Sequence, residues 1–223
     1  MVTDTEHMLA EKRAILSAIL PHVPFYGWSE KSLRAAAADA GIEPALARLT
    51  FPGGLAGLII FWCSEADRAM AAAYDEEGGN EMRLRERISF LVRARIGAVA
   101  AHREAVRRAL TYLAQPGQSG RSLKCLYRTV DEMWYAAGDQ ATDYNFYTKR
   151  LTLAGIYCST LVFWLDDSSQ DDSETWAFLE RRIDGVMDIP RRRESFRRAK
   201  DSFPNLKTFA RLLSAQLRER GIG

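Results

Sequence analysis

The sequence predicts an all-α protein, and three observations carry that prediction. Apolar positions recur with a 3.6-residue period through most of the chain, no alternating β-branched run ends in a hairpin turn, and the breaks are short clusters such as "FPGG", "EEGGN" and "QPGQSG". With 223 residues, 47% of them hydrophobic and 27% charged, the chain can bury a core without staples. Cys63, Cys125 and Cys158 are odd in number and scattered among apolar neighbours, which fits reduced thiols in a cytosolic setting and no disulfide framework.

Taken in order, the pattern predicts helices at 4–20, 29–40, 44–50, 54–75, 81–114, 121–138, 142–166, 172–187 and 203–219. The first begins in "MVTDTEHMLAEKR", whose early acids fit neither a secretory signal nor an Arg-rich transit peptide, so the mature chain is expected to start at Met1. "PHVPFYG" then reads as punctuation. Ser29 caps an Ala-rich helix, Gly41 turns the chain and Pro44 opens a second short helix, so small residues let two helices cross steeply as in a helix-turn-helix. Two simply packed helices would give the same pattern. The predicted reading helix, 44–50, carries only Arg48 as a base, a poor footprint for DNA because phosphate neutralisation supplies most non-specific affinity.

The helix over 142–166 is the most unusual. From Leu151 to Leu165 fifteen residues pass without a charge, entered through Lys149 and Arg150 and left through Asp166 and Asp167. Fifteen residues make about 22 Å of helix against the roughly 30 Å of a bilayer core, so the segment predicts a helix buried on all sides in protein and no transmembrane span. Two compatible readings remain open: a central core helix, or one that also lines an apolar cavity where Ala154 and Gly155 leave space. At its entrance Arg150 and Lys149 suit an anionic headgroup, though a salt bridge from Lys149 to Asp143 is the alternative. Asp143, Tyr144, Phe146 and Tyr147 form an acidic-aromatic cluster, either an exposed interface or part of the core.

Charge is uneven. From Pro190 onward ten bases face three acids, although the whole chain is only +2. Within this tail Phe203, Leu206, Phe209, Leu213 and Leu217 fall on one arc of the helix over 203–219, with Lys207 and Arg211 on its flank. That arrangement suits a helix lying in anionic headgroups, which the excess of bases favours over a helix docked on the protein or in a dimer with the same stripe. His7, His22 and His102 lie far apart, with no Glu-x-x-His pair, Walker loop or nucleophile elbow, so neither catalysis nor a metal or cofactor is expected.

Two stretches carry a family resemblance. "AAAADAGIEPALARLTF" resembles the helix-turn-helix of TetR regulators, although Arg48 and then Pro52-Gly53-Gly54 stand where those regulators place a Tyr and a Lys. "DQATDYNFYTKR" and "DDSSQDDSETWAFLERRI" resemble the coenzyme Q biosynthesis protein nine family, TetR-like lipid-binding accessory proteins of ubiquinone biosynthesis. The resemblance implies a TetR-like bundle with a degenerate helix-turn-helix at 1–75, a lipid-binding and dimerisation region at 76–189 and a basic, amphipathic, membrane-associating tail at 190–223. It further implies a homodimer without catalytic activity, cytoplasmic and peripheral on the inner membrane, that offers an isoprenoid quinone or phospholipid to the demethoxyubiquinone hydroxylase. Arg150 would contact the headgroup, with Lys149, Tyr147, Leu151, Ala154, Gly155 and Cys158 around the lipid, and Asp143, Tyr144 and Phe146 would face the hydroxylase. A ligand-responsive repressor and a generic phospholipid-transfer protein are the alternatives.

Overall fold

The computed structural model describes residues 2–138 and 145–187, and every element among them is helical. The described chain falls into two compact units, 1–70 with 97–129 and 71–96 with residues from 130 onward, so the division runs through helices rather than along a linker.

The first unit begins with α1 (Val2–Ile19), which buries Ile15, Leu16 and Ile19. A one-turn helix, α2 (Val23–Tyr26), occupies the stretch expected to be mere punctuation; Pro24 starts it, since a proline lacks only an N–H that the first turn would leave unpaired. In α3 (Glu30–Asp39) the Ser29 hydroxyl accepts from the Ser32 backbone N–H at 3.2 Å, and Ala36 and Ala37 are wholly buried. Gly41 takes a φ of 65° while the Ile42 N–H donates to the Ala37 carbonyl at 2.8 Å, and α4 (Pro44–Thr50) follows at the predicted bounds. Small side chains on α3 let α4 and α1 pack close against it, which gives the helix-turn-helix geometry.

Next come α5 (Gly54–Glu76), α6 (Leu84–Gly97), α7 (Arg103–Leu113) and α8 (Ser119–Ala136), with 3-10 turns at Gly79–Glu81 and Ala100–His102. The single helix predicted over 81–114 is therefore broken. Gly97 is the weakest helix former available, and Val99, buried at φ −119° and ψ 4°, leaves the helical region to reach the interior. Trp28 and Trp62 meet inside the first unit at 5.6 Å, and the Trp28 indole donates to the Ala105 carbonyl at 3.1 Å. There too the buried Asp67 accepts from the Thr129 hydroxyl at 2.9 Å and pairs with Arg128, joining α5 to α8.

In the second unit α9 (Asn145–Asp166) and α10 (Ser173–Met187) pack together. The expectation that α9 is buried on all sides is corrected. Leu153, Ile156, Tyr157, Leu161, Trp164 and Leu165 are buried, whereas Leu151 is 61% exposed and Gly155 is exposed too. An apolar composition all round hid this one-sidedness from periodicity. The α9–α10 corner explains "DDSSQDDSETW" structurally. Asp167 accepts from the backbone N–H groups of Ser169 and Thr175, both at 2.8 Å, and from the Thr175 hydroxyl at 2.5 Å. Burial acts against its ionisation, but these hydrogen bonds win and hold the carboxyl well below the usual carboxylate range. Asp171 and Asp172 adopt φ near 55°, which Asp tolerates, and Asp172 receives the Trp164 indole N–H at 2.9 Å.

Among the described residues no single helix is long and apolar enough to cross a membrane; α4 and α5 reach that length and apolarity only jointly, across a 63° bend.

Candidate functional site

The second unit brings Arg150 and Lys149 of α9 against α8, one turn into the helix from Asn145. Arg150 is 7% exposed, and its Nε donates to Asp131 Oδ1 at 2.6 Å, so the guanidinium works first as a tie between the two helices. Lys149 places its ammonium 5.7 Å from the centroid of the Trp134 ring, one turn beyond Asp131 on α8. Trp134 is buried, and its indole N–H has no acceptor among the described residues. A buried donor without a partner costs about 1–3 kcal/mol, so an oxygen arriving there would be well received.

Beyond this seam Leu151, Ala154, Gly155 and Cys158 follow at spacings of three and four, and so share a stripe of α9. Leu151 and Gly155 are exposed, Ala154 and Cys158 half-buried. A Cβ built on Gly155 would meet nothing within 4 Å, so the space it leaves is open to the outside of the unit. Burial pushes the Cys158 thiol up to about 12, which keeps it neutral and apolar at physiological pH. The stripe therefore offers hydrocarbon contact with no titrating group.

Asp131 and Trp134 were not legible as site residues from sequence, although their spacing of three on a helix could have paired them. Arg95 of α6 was missed as well: it is 4% exposed and stands 6.0 Å from the Tyr157 ring centroid. Tyr147 and Phe146 belong to α9, but their side chains lie outside the described residues, as do Asp143 and Tyr144 altogether. Phe203, Leu206, Lys207, Phe209, Arg211, Leu213 and Leu217 also lie outside them.

A separate hollow of about 420 Å³ opens between α6 and α10, lined by Met82, Arg85, Glu86, Ser89, Phe90, Arg93 and Glu180. Its charges answer one another. Arg85 pairs with Glu180 at 3.1 Å and Asp184 at 2.8 Å, and the Ser89 hydroxyl donates to Glu180 at 2.5 Å. This hollow does not involve α9. In the first unit Arg48 donates to Glu30 at 3.0 Å, while Leu46 and Leu49 of the same helix are exposed. Where a DNA-reading helix needs free cations, α4 thus offers a committed one and two leucines. Among the described residues no group of His, Cys, Asp and Glu is placed to hold a metal.

Comparison with known proteins adds the following. A family model described as COQ9 matches residues 119–190. "Ubiquinone biosynthesis protein COQ9, mitochondrial" of Rattus norvegicus is 34% identical over 182 residues, which cover 78% of this chain and 58% of that protein. The Homo sapiens protein of the same name is 34% identical over 182 residues, covering 78% and 57%. The Drosophila melanogaster one is 28% identical over 184 residues, covering 81% and 56%. The chain thus spans less than two thirds of the length of these curated relatives. Among solved structures, a TetR transcriptional regulator from Nitrosomonas europaea superposes with a TM-score of 0.65 at 24% identity, over 78% of this chain and 96% of that one. That likeness bears on fold alone, and it bears out the TetR-like all-α fold.

Proposed function

We propose that the chain is a COQ9-family protein, on the match of residues 119–190 and of relatives 34% identical to it, and that it is a non-catalytic accessory protein of ubiquinone biosynthesis. It binds an isoprenoid quinone intermediate or a related lipid and presents it to the di-iron demethoxyubiquinone hydroxylase. The observation that carries the reading is the α8–α9 seam: a buried indole N–H without an acceptor among the described residues, a cation near the same ring, and an apolar stripe of α9 open beyond them. A quinone head supplies acceptor oxygens and an isoprenoid tail supplies only hydrocarbon, so one molecule matches both parts. Arg150 sets the spacing of α8 and α9 through Asp131, and its headgroup role, with Lys149 and Tyr147, belongs to this same seam.

The work done is desolvation and delivery. The lipid leaves the bilayer in part, lies along Leu151, Ala154, Gly155 and Cys158, and is offered to the partner enzyme at Asp143, Tyr144 and Phe146. No bond is made or broken on this chain. The protein acts as a homodimer, peripheral on the membrane that holds its substrate, with the helix over 203–219 lying in the headgroups. The Rattus norvegicus and Homo sapiens relatives are named as mitochondrial proteins. Against the rival reading as a transcriptional repressor stands α4, whose one base is tied to Glu30.

Mass spectrometry of lipid extracted from the purified protein tests this. A quinone intermediate should be recovered from the wild type and reduced about 2–10-fold in Trp134→Phe, the worth of one hydrogen bond, while the lipid-free variant stays folded. Recovery of a polar effector instead, together with sequence-selective DNA binding at physiological salt, would overturn the proposal in favour of the repressor.

A further inference from the structure

The elbow between α1 and α3 holds two aromatic rings in solvent. Val23 and Trp28 turn inward and are buried, while Phe25 and Tyr26 between them are 78% and 45% exposed. The display is fixed at both ends. Gly27, at φ 66°, returns its N–H to the Val23 carbonyl at 2.8 Å; a side chain there would be strained, so the turn depends on glycine. The Ser32 hydroxyl donates to the Gly27 carbonyl at 2.6 Å, and the Trp28 indole is tied to Ala105 of α7. An exposed Phe on a slack loop would fold back onto the nearest apolar surface, and this one is held out of reach of it.

The surroundings are basic. Lys31 sits with its ammonium 3.7 Å from the Tyr26 ring centroid, and Arg34, one turn further along α3, is exposed on the same face. Neither base has an ion pair among the described residues, because the acids nearby are taken: Glu30 by Arg48, Asp39 by His22, and Glu104 by Arg107 and Arg108. The Arg108 guanidinium also lies beside Gly27.

We propose that the Phe25–Tyr26 elbow is a membrane-contact point, in which the two rings enter the headgroup layer of an anionic bilayer and Lys31 and Arg34 meet its phosphates. Phe gains only by leaving water, Tyr has an apolar body with a polar tip suited to the interface, and the two bases complement negative headgroups. Single-stranded nucleic acid would ask for a different surface. The two rings are inclined at 54° with centroids 6.4 Å apart, and one face of Tyr26 is taken by Lys31, so they form no platform for successive bases. The contact adds a folded element to the tail helix proposed above and does not depend on which lipid the second unit binds.

The test uses full-length protein in flotation with vesicles of an equal mixture of phosphatidylcholine and phosphatidylglycerol, and with phosphatidylcholine alone. Phe25→Ser/Tyr26→Ser should weaken binding to the anionic vesicles about tenfold with helix content and melting unchanged, because neither ring is in the core. Lys31→Glu/Arg34→Glu should weaken binding to the anionic vesicles and leave the neutral ones unaffected. Should Phe209→Ser/Leu213→Ser abolish flotation while both elbow variants float like the wild type, the elbow proposal falls and the tail reading stands. Failure of the wild type to float at all removes both. Loss of single-stranded oligonucleotide retention in the elbow variants, with flotation intact, would make the elbow a nucleic-acid contact and overturn the proposal.

Discussion

Two arginine–carboxylate pairs in this protein share their chemistry and differ in their surroundings. Arg48 and Glu30 meet at 3.0 Å across α3 and α4 with both side chains more than half exposed. Arg150 and Asp131 meet at 2.6 Å across α8 and α9 with the guanidinium almost wholly buried. The first pair competes with water for each partner and contributes little, whereas the second holds a charge that has already left water. In the first unit the pair occupies the only base of α4. In the second it fixes the helices that border an unsatisfied indole and an open apolar stripe. The comparison teaches that the same pairing is a surface contact in one unit and a buried tie in the other, where it stands beside an indole N–H with no acceptor among the described residues.

The comparison is broken most directly at Asp131. Asp131→Ala leaves Arg150 without that carboxylate. Breaking a buried pair costs about 3–5 kcal/mol, and because Asp131 is itself 44% exposed the loss should fall toward about 2–3 kcal/mol. Urea unfolding measures it. Arg150→Glu should be worse still, since it sets a second carboxylate beside the first, so this substitution reports stability before it reports lipid affinity. A loss under about 0.5 kcal/mol for Asp131→Ala would mean that the two pairs are alike after all.

A carboxylate that accepts from backbone N–H groups and a hydroxyl sharpens the contrast. The Asp167 carboxyl is depressed in the folded state by its hydrogen bonds to Ser169 and Thr175. Its contribution is therefore fully present above the ordinary aspartate pKa near about 4 and is lost as pH falls from there through the lower folded value. Over that acidic window the slope from this one group is at most about 1.4 kcal/mol per pH unit. Asp167→Asn should flatten the stability curve there while lowering stability at neutral pH; an acid limb identical to that of the wild type would show that other carboxylates carry it.

How much of this was legible in the sequence depends on whether the signal was local. Ser29, Gly41 and Pro44 act on their own backbone, so the helix-turn-helix could be read to the residue. The break at Gly97–Val99 could not, because it depends on where the interior lies rather than on the apolar pattern of 81–114. Nor could the exposed stripe of α9, since a helix apolar on every side does not announce which side meets its neighbours. Arg150 was legible as a residue and not as an environment: its partner Asp131 lies nineteen positions away on another helix. Trp134 is a candidate only through its buried N–H, which has no acceptor among the described residues, and nothing local in the sequence marks that.

The smallest effect is expected at the exposed pair, and it closes the comparison from the other side. Arg48 and Glu30 are joined by one hydrogen bond in near-bulk solvent, where Coulomb attraction is weak and ordering two long side chains offsets much of it. A double-mutant cycle of Glu30→Ala and Arg48→Ala should give a coupling below about 0.5 kcal/mol, diminishing further as salt is raised. Neither variant should change retention on genomic DNA fragments at physiological salt, because α4 carries no other base and its outward residues include Leu46 and Leu49. Glu30→Ala is the more informative of the two, since it releases Arg48 and restores the one cation the helix has. If that release produced sequence-selective DNA binding, the acid would be a lock on a working reader.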